Sequence, residues 1–145
     1  MAKKYFIVLS IALIVSLLDQ LTKFLIKENL QLNQSIPIIK NILHLTYVTN
    51  TGSAFGLFKG LNVFFILFSI IVIIVIFYYL KKIKEKVLPF SIGLLLGGTI
   101  GNLIDRIFYG AVIDFIDFRI WPVFNVADSA VTISIMLLII LLWKE

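Results

Sequence analysis

The 145-residue chain contains no cysteine, a single histidine and only eight acidic residues. The missing thiols exclude a disulfide framework, a thiolate nucleophile and a cysteine-based metal site. A metal centre built from histidines is disfavoured, because His44 stands alone. We therefore expect no metal and no cofactor. The chain also has too little polar sequence to form a separate soluble domain.

Hydrophobic residues make up 61% of the chain, and the mean hydropathy is +1.08, whereas soluble domains are closer to half apolar. A helix needs roughly 20 mostly apolar residues to cross a bilayer. Four stretches are that long: about Tyr5–Ile26, Leu61–Leu80, Val87–Phe108 and Phe124–Trp143. The sequence predicts an all-α membrane protein in which residues 1–145 form one integral membrane domain with four transmembrane helices.

The first stretch follows two lysines, as a cleaved signal peptide would. No small-residue cleavage site follows it, and the apolar run continues through Asp19 to Ile26. We therefore expect a retained transmembrane helix.

Basic residues indicate the orientation of the predicted spans. Seven of the 13 fall on the side shared by both termini and the link between spans two and three: Lys3, Lys4, Lys81, Lys82, Lys84, Lys86 and Lys144. The positive-inside rule makes that side cytoplasmic, although six basic residues fall on the other side. Nucleic acid is not expected as a partner, because these lysines flank membrane segments and belong to no separate polar fold.

All five aspartates lie in or beside the apolar stretches: Asp19, Asp105, Asp114, Asp117 and Asp128. A carboxylate at the centre of a membrane helix costs about 3 kcal/mol on insertion scales, so partners or a function are expected. With the N-terminus inside, all five fall near the outer end of the bundle. Any one of them alone is explained by snorkelling or by helix capping, as for Asp128 behind Asn125. Their convergence favours a site.

Polar neighbours strengthen this prediction. Asn102, Asp105 and Arg106 lie at i, i+3 and i+4 on one face of the third span. A buried arginine there would need a carboxylate, so we expect Asp105 and Arg106 to pair and to brace a site. Asp19 and Lys23 are also four residues apart and can pair. Alternatively, Lys23 extends towards the interface by itself.

The outer segment of residues 27–60 is too polar to span a bilayer. Within it, LHLTYVTN (43–50) alternates apolar and polar residues as a half-buried strand does. Gly52 and Gly56 follow and are typical of a turn. We expect a small β-rich platform on the outer face, with His44 on its surface.

Two neighbouring carboxylates can share one proton. The ionised one can then take a proton from water while the protonated one supports a carbonyl oxygen, as in aspartic proteases. A serine triad would need His44, and no GxSxG motif is present; no spacing favours a pair of Ser53 with Lys23. A small proton-coupled transporter stays open as an alternative, since membrane carboxylates also relay protons, as does a non-catalytic scaffold.

Four blocks of sequence are recognisable in their order: DQLTK (19–23), NTGSAFG (50–56), GNLIDR with GAVIDF (101–106 and 110–115) and FNVADSA (124–130). They resemble those of the bacterial lipoprotein signal peptidases, or signal peptidase II, across essentially the whole chain. The resemblance implies an aspartic endopeptidase of the bacterial cytoplasmic (inner) membrane with its active site towards the outer face. Its implied partners are membrane lipids and lipoprotein precursors, cleaved before a cysteine that carries a diacylglyceryl group.

The resemblance also implies the roles of individual residues. It assigns the catalytic pair to Asp114 and Asp128, whereas the residues alone do not separate Asp114 from Asp117. Three apart, those two would share a face in a helix and point oppositely in a strand. Supporting or substrate-binding roles fall on Asp19, Lys23, Asn50, Gly52, Asn102, Asp105, Arg106 and Asn125. Gly93, Gly97 and Gly101 recur every four residues, a stripe that lets another helix approach closely and that we expect to pack within the bundle. We expect a monomer, because nothing beyond this stripe marks an interface between copies.

Overall fold

The computed structural model describes residues 2–52, 60–82 and 88–143. In this part of the chain the helices are α1 (Ala2–Asn29), α2 (Asn62–Leu80), α3 (Leu88–Phe108) and α4 (Val126–Leu142). The strands are β1 (Ser35–Ile39) and β2 (Leu43–Asn50), between α1 and α2, and β3 (Val112–Asp117), between α3 and α4. Ser53 and Gly56, singled out in the sequence, lie outside the described residues.

Three of the helices, α1, α2 and α3, are long and apolar enough to cross a membrane. The fourth, α4, is also apolar but has 17 residues. It begins two residues later than the predicted stretch because Asn125 caps its first turn. Large apolar side chains cover the outward faces of the helices, including Phe6, Leu13, Val63 and Phe68. Such faces are typical of helices that contact lipid.

Helix α3 packs against all three other helices. Its glycines make the approach close: a Cβ atom on Gly97 would lie 2.7 Å from the Cβ of Val15 on α1. On Gly98 it would lie 2.5 Å from the carbonyl oxygen of Ala127 on α4. No side chain fits at either contact. The glycine stripe of the sequence therefore packs within the bundle, and together with Gly98 it brings α1 and α4 against the same helix.

The three strands form one antiparallel sheet in the order β1-β2-β3. The predicted strand at residues 43–50 is confirmed as β2. The sheet extends beyond the predicted segment 27–60, because its third strand comes from the link between α3 and α4. Strand β3 reads VIDFID and lacks the alternation that identifies a half-buried strand.

A small apolar cluster joins the sheet to the end of α1. Ile26 of α1 and Leu30, directly after this helix, pack with Phe115 of β3, and Leu45 and Tyr47 of β2 border them. This contact holds β3 beside the first turn of α4, whose Val126 also packs against the cluster. Asp114 of β3 and Asp128 of α4 are thereby brought to one place.

Candidate active site

Asp114 and Asp128 line the same cavity, which has a volume of about 570 Å³. Asp114 lies in β3 opposite Val48 of β2, and Asp128 lies in the first turn of α4. The cavity wall also includes Asn50, Gly52, Phe65, Arg106, Trp121 and Ile133. The structure therefore brings together both predicted catalytic residues and three of the predicted supporting residues.

Asn125 connects the two carboxylates. Its side-chain Nδ2 donates to Oδ1 of Asp114 at 2.7 Å, and its Oδ1 accepts from the backbone N–H of Asp128 at 2.8 Å. Its own backbone N–H donates to Oδ2 of Asp128 at 3.3 Å, which completes a capping box. Asp128 therefore takes part in capping α4, as the sequence suggested, and it also lines the cavity. Asn125 is fully buried.

Two further side-chain amides bind the two carboxylate oxygens that Asn125 does not contact. Asn102 Nδ2 donates to Oδ1 of Asp128 at 2.8 Å, and Asn50 Nδ2 donates to Oδ2 of Asp114 at 3.2 Å. The backbone N–H of Gly52 donates to Oδ1 of Asn50 at 3.0 Å, which orients that amide. Each of the four carboxylate oxygens therefore accepts at least one hydrogen bond, and neither side chain is free to rotate.

The environment of Asp114 favours its protonated form. Burial and the neighbouring charge of Asp128 raise the pKa of Asp114 to about 7, against hydrogen bonds from Asn50 and Asn125 and the charge of Lys23. The residue is 2% exposed. A carboxyl group of this pKa holds its proton near neutral pH, as one partner of an acid pair must.

This pKa predicts how stability depends on pH. The folded chain holds a proton on Asp114 up to about pH 7, whereas the ordinary pKa is 3.8. The contribution of Asp114 to the free energy of unfolding is therefore fully present below the ordinary pKa. It is lost as pH rises through about 7, which lowers the free energy of unfolding by at most about 4 kcal/mol. Asp114→Asn carries no such charge. We expect its melting temperature relative to wild type to rise between pH 4 and pH 8 in scanning fluorimetry.

Asp117→Asn is the matched control for that measurement. Burial raises the pKa of Asp117, but hydrogen bonds from Thr46 and Arg119 and the charge of Arg119 outweigh it and hold this pKa below the ordinary value. The contribution of Asp117 to the free energy of unfolding is therefore present above the ordinary pKa of an aspartate and is lost as pH falls below it. A flat difference between Asp114→Asn and wild type, or one that falls with pH, would contradict the assignment.

Asp19, Lys23 and Asp105 form a buried cluster behind the cavity. The ammonium group of Lys23 lies 2.7 Å from Oδ2 of Asp19 and 2.8 Å from Oδ2 of Asp105. The pair of Asp19 with Lys23 is as expected from their spacing, and the alternative that Lys23 reaches the interface is wrong, since it is 2% exposed. The expected pairing of Asp105 with Arg106 is also wrong, because Asp105 turns towards Lys23 on α1.

Arg106 instead faces the cavity. Its guanidinium group lies 5.1 Å from the ring centroid of Phe65, and Nη1 donates to the carbonyl oxygen of Asn102 at 3.4 Å. No ion pair of Arg106 is present among the described residues. A half-buried cation at the wall of a site can stabilise negative charge that develops on a substrate.

Asp117 lies apart from the pair. It accepts from Thr46 Oγ1 at 2.7 Å and from Arg119 Nη1 at 3.0 Å, on the face of β3 opposite Asp114. His44, expected on the surface, is half-buried and 3.1 Å from Ser35 Oγ through Nδ1. Within residues 2–52, 60–82 and 88–143, no three acidic or histidine side chains are arranged to hold a metal ion.

Comparison with known proteins gives a consistent result. The model of the family described as signal peptidase (SPase) II matches residues 11–144. A lipoprotein signal peptidase of Halothermothrix orenii is 49% identical over 136 residues, which cover 93% of this chain and 94% of that protein. One of Moorella thermoacetica is 45% identical over 138 residues, covering 94% of this chain and 90% of the relative.

Solved structures agree in fold. Two structures described as bacterial membrane enzymes are each 37% identical to this chain and superpose with TM-scores of 0.90 and 0.87. The matches cover 94% and 95% of this chain, and 87% and 93% of the two solved chains.

Proposed function

Since this chain belongs to the signal peptidase II family, whose members are aspartic peptidases of the membrane, we propose that Asp114 and Asp128 are its catalytic pair. The protein removes signal peptides from lipoprotein precursors by cleaving before a diacylglyceryl-modified cysteine. One observation carries the assignment: the two carboxylates line one cavity, and amide groups hold all four of their oxygens.

The chemistry follows from the different surroundings of the two acids. Asp114 holds the shared proton, because its pKa is raised to about 7. Asp128 is the base: it accepts from the Asn125 backbone N–H in the first turn of α4, where the positive end of the helix dipole stabilises a negative charge. Asp128 takes a proton from water, and the water oxygen attacks the scissile carbonyl carbon while Asp114 donates to the carbonyl oxygen.

Breakdown of the tetrahedral intermediate reverses these roles. The proton taken up by Asp128 passes to the leaving amine as the peptide C–N bond breaks, and Asp114 regains its own proton as the carboxylic acid product forms. Arg106 on the cavity wall stabilises the partial negative charge that develops on the carbonyl oxygen before the proton of Asp114 reaches it. Neither a metal ion nor a covalent intermediate takes part in this scheme.

The rest of the wall suits a lipidated peptide. Phe65, Trp121, Val123 and Ile133 contribute apolar surface around the two aspartates. Acyl chains gain about 0.8 kcal/mol for each buried CH₂ group, so an apolar wall at the edge of the bilayer can bind the diacylglyceryl group strongly. The polar groups of the cavity are then left for the peptide.

The membrane arrangement follows from the distribution of basic residues. Lys4 Nζ donates to the carbonyl oxygen of Lys81 at 3.1 Å, so the start of α1 and the end of α2 lie together. These lysine-rich ends face the cytoplasm by the positive-inside rule, and the sheet and the aspartates face outward. Helix α4 spans as well, since about 17 residues is within the usual range. The protein acts as a monomeric single domain of the bacterial cytoplasmic membrane.

The test is cleavage of a diacylglyceryl-modified precursor by the purified protein in lipid. We expect the same precursor with serine in place of the modified cysteine to lose at least about 100-fold in kcat/KM, because binding energy from the acyl chains is spent in the transition state. Product lengths on a gel measure both. Equal cleavage of the two substrates, or none of either, would contradict the proposal. Family membership does not favour proton-coupled transport.

A further inference from the structure

Each proposed catalytic aspartate follows a residue whose backbone N–H is held by the buried cluster. Ile113 precedes Asp114, and its N–H donates to Oδ2 of Asp105 at 3.0 Å. Ala127 precedes Asp128, and its N–H donates to Oδ1 of Asp19 at 2.9 Å. These two acids come from different helices, yet each accepts from the backbone N–H of the residue that precedes one member of the pair.

Lys23 links the two holding acids. Besides Asp19 and Asp105, its ammonium group donates to Oδ1 of Asn102 at 2.9 Å. These three contacts match the three donors of an ammonium group. Because Oδ1 of Asn102 is thereby bound to a cation, its Nδ2 must point the other way, where it donates to Asp128 at 2.8 Å.

The cluster does not reach the substrate. Asp19, Lys23 and Asp105 are each at most 2% exposed, and none of them lines the cavity. Gly101 leaves space for the cluster, since a Cβ atom there would lie 2.6 Å from Oδ2 of Asp19. An effect of these residues on the reaction must therefore pass through the aspartates they hold.

We propose that Asp19, Lys23 and Asp105 are positioning residues that set the separation and orientation of Asp114 and Asp128. Asp105 holds β3 at Ile113, Asp19 holds α4 at Ala127, and Lys23 ties the two together and orients Asn102. This inference rests on the proposed catalytic pair. A buried ion cluster that served the fold alone would lower stability when broken but would leave the turnover of folded enzyme intact.

Lys23→Met is the direct test, since it removes the ammonium group and keeps an unbranched side chain that is shorter by only one atom. We expect kcat on the lipidated precursor to fall by about 100-fold, as a small misplacement of reacting groups does, with KM within about threefold because uniform binding is untouched. Lys27→Met is the matched control. Lys27 lies one turn further along α1, exposed, with its ammonium 4.5 Å from the ring centroid of Tyr109, and its loss should leave kcat unchanged.

The pH profile supplies a readout that a structural role would not move. The cation of Lys23 lowers the pKa of Asp114, so its removal should shift the whole activity profile to higher pH. Five charged groups surround Asp114. Asp128 lies on α4, and the other four lie on α1 (Asp19 and Lys23) and α3 (Asp105 and Arg106). Of these five groups, only Lys23 differs between wild type and Lys23→Met.

A second variant covers the case in which Lys23→Met does not fold. The cluster's two carboxylates and one ammonium sum to one negative charge, and the double variant Lys23→Met with Asp19→Asn keeps that sum. We expect it to fold and to show the same loss of kcat. Normal kcat in either folded variant, or a loss confined to KM, would overturn the inference. An Asp114→Asn enzyme that still cleaves would instead overturn the catalytic pair, so the two failures are distinguishable.

Discussion

Asparagine in place of either Asp114 or Asp128 is expected to lower kcat/KM on a diacylglyceryl-modified precursor by at least about 10³-fold, because one of the two proton transfers is lost. In Asp128→Asn the new amide cannot take a proton from water. In Asp114→Asn the new amide can still donate a hydrogen bond, but it cannot exchange the shared proton. Since the pair acts as a unit, the double variant should be no slower than the slower single variant.

Asp117→Asn is the matched control, because it makes the same change three residues away in the same strand. Its carboxylate is bonded to Thr46 and Arg119 on the opposite face of β3, so activity within about threefold of wild type is expected for a substitution away from the reacting atoms. The measurement is the initial rate of product formation by protein with an unchanged melting profile. Full activity in either Asp114→Asn or Asp128→Asn would contradict the assignment.

Asn125→Ala is expected to lower kcat by about 100-fold, because the residue positions both reacting groups. The change removes the bond from Nδ2 to Asp114, the cap on Asp128 N–H and the bond from Nδ2 to Asn102. Loss of the cap alone costs about 1 kcal/mol of stability. The loss of activity should therefore be larger than a lowered fraction of folded enzyme can explain.

Asn125→Ser separates the two roles of this side chain. Serine is as good an N-cap as asparagine, so its hydroxyl group can accept from the N–H of Asp128 and restore stability. It cannot also donate to Asp114 and Asn102 as Nδ2 does. We expect the serine variant to melt like wild type and to turn over as slowly as the alanine variant. Recovery of both properties together would mean that Asn125 serves only as a helix cap.

Several parts of the fold could be predicted from the sequence. The three helices α1 to α3 follow from apolar runs, and β2 follows from the alternation in residues 43–50. The pair of Asp19 with Lys23 follows from spacing within one helix. The glycines of α3 indicated a close helix contact, which Gly97 makes. Each of these signals is local, because it depends on residues that are neighbours along the chain.

Other features came only with the structure. Strand β3 was not predicted, since its residues are buried on both faces and do not alternate. Asp105 pairs with Lys23 across two helices, whereas its neighbour Arg106 turns to the cavity wall. No sequence signal pointed to the link that Asn125 makes between the two aspartates. The asparagine ahead of an apolar run indicated a cap, and the family resemblance implied a supporting role without identifying the groups that Asn125 contacts.

Asp114 and Asp117 show most clearly the difference between what the sequence determines and what only the tertiary structure decides. The sequence by itself determined a membrane chain with apolar helices and five aspartates near one end, because hydrophobicity is a property of each segment. Only the tertiary structure decided which carboxylates meet. That depends on whether residues 112–117 form a strand, on the register of that strand with β2, and on how closely glycines let α4 approach α3. These are contacts between segments far apart in the chain, and their geometry is set by packing across the whole bundle.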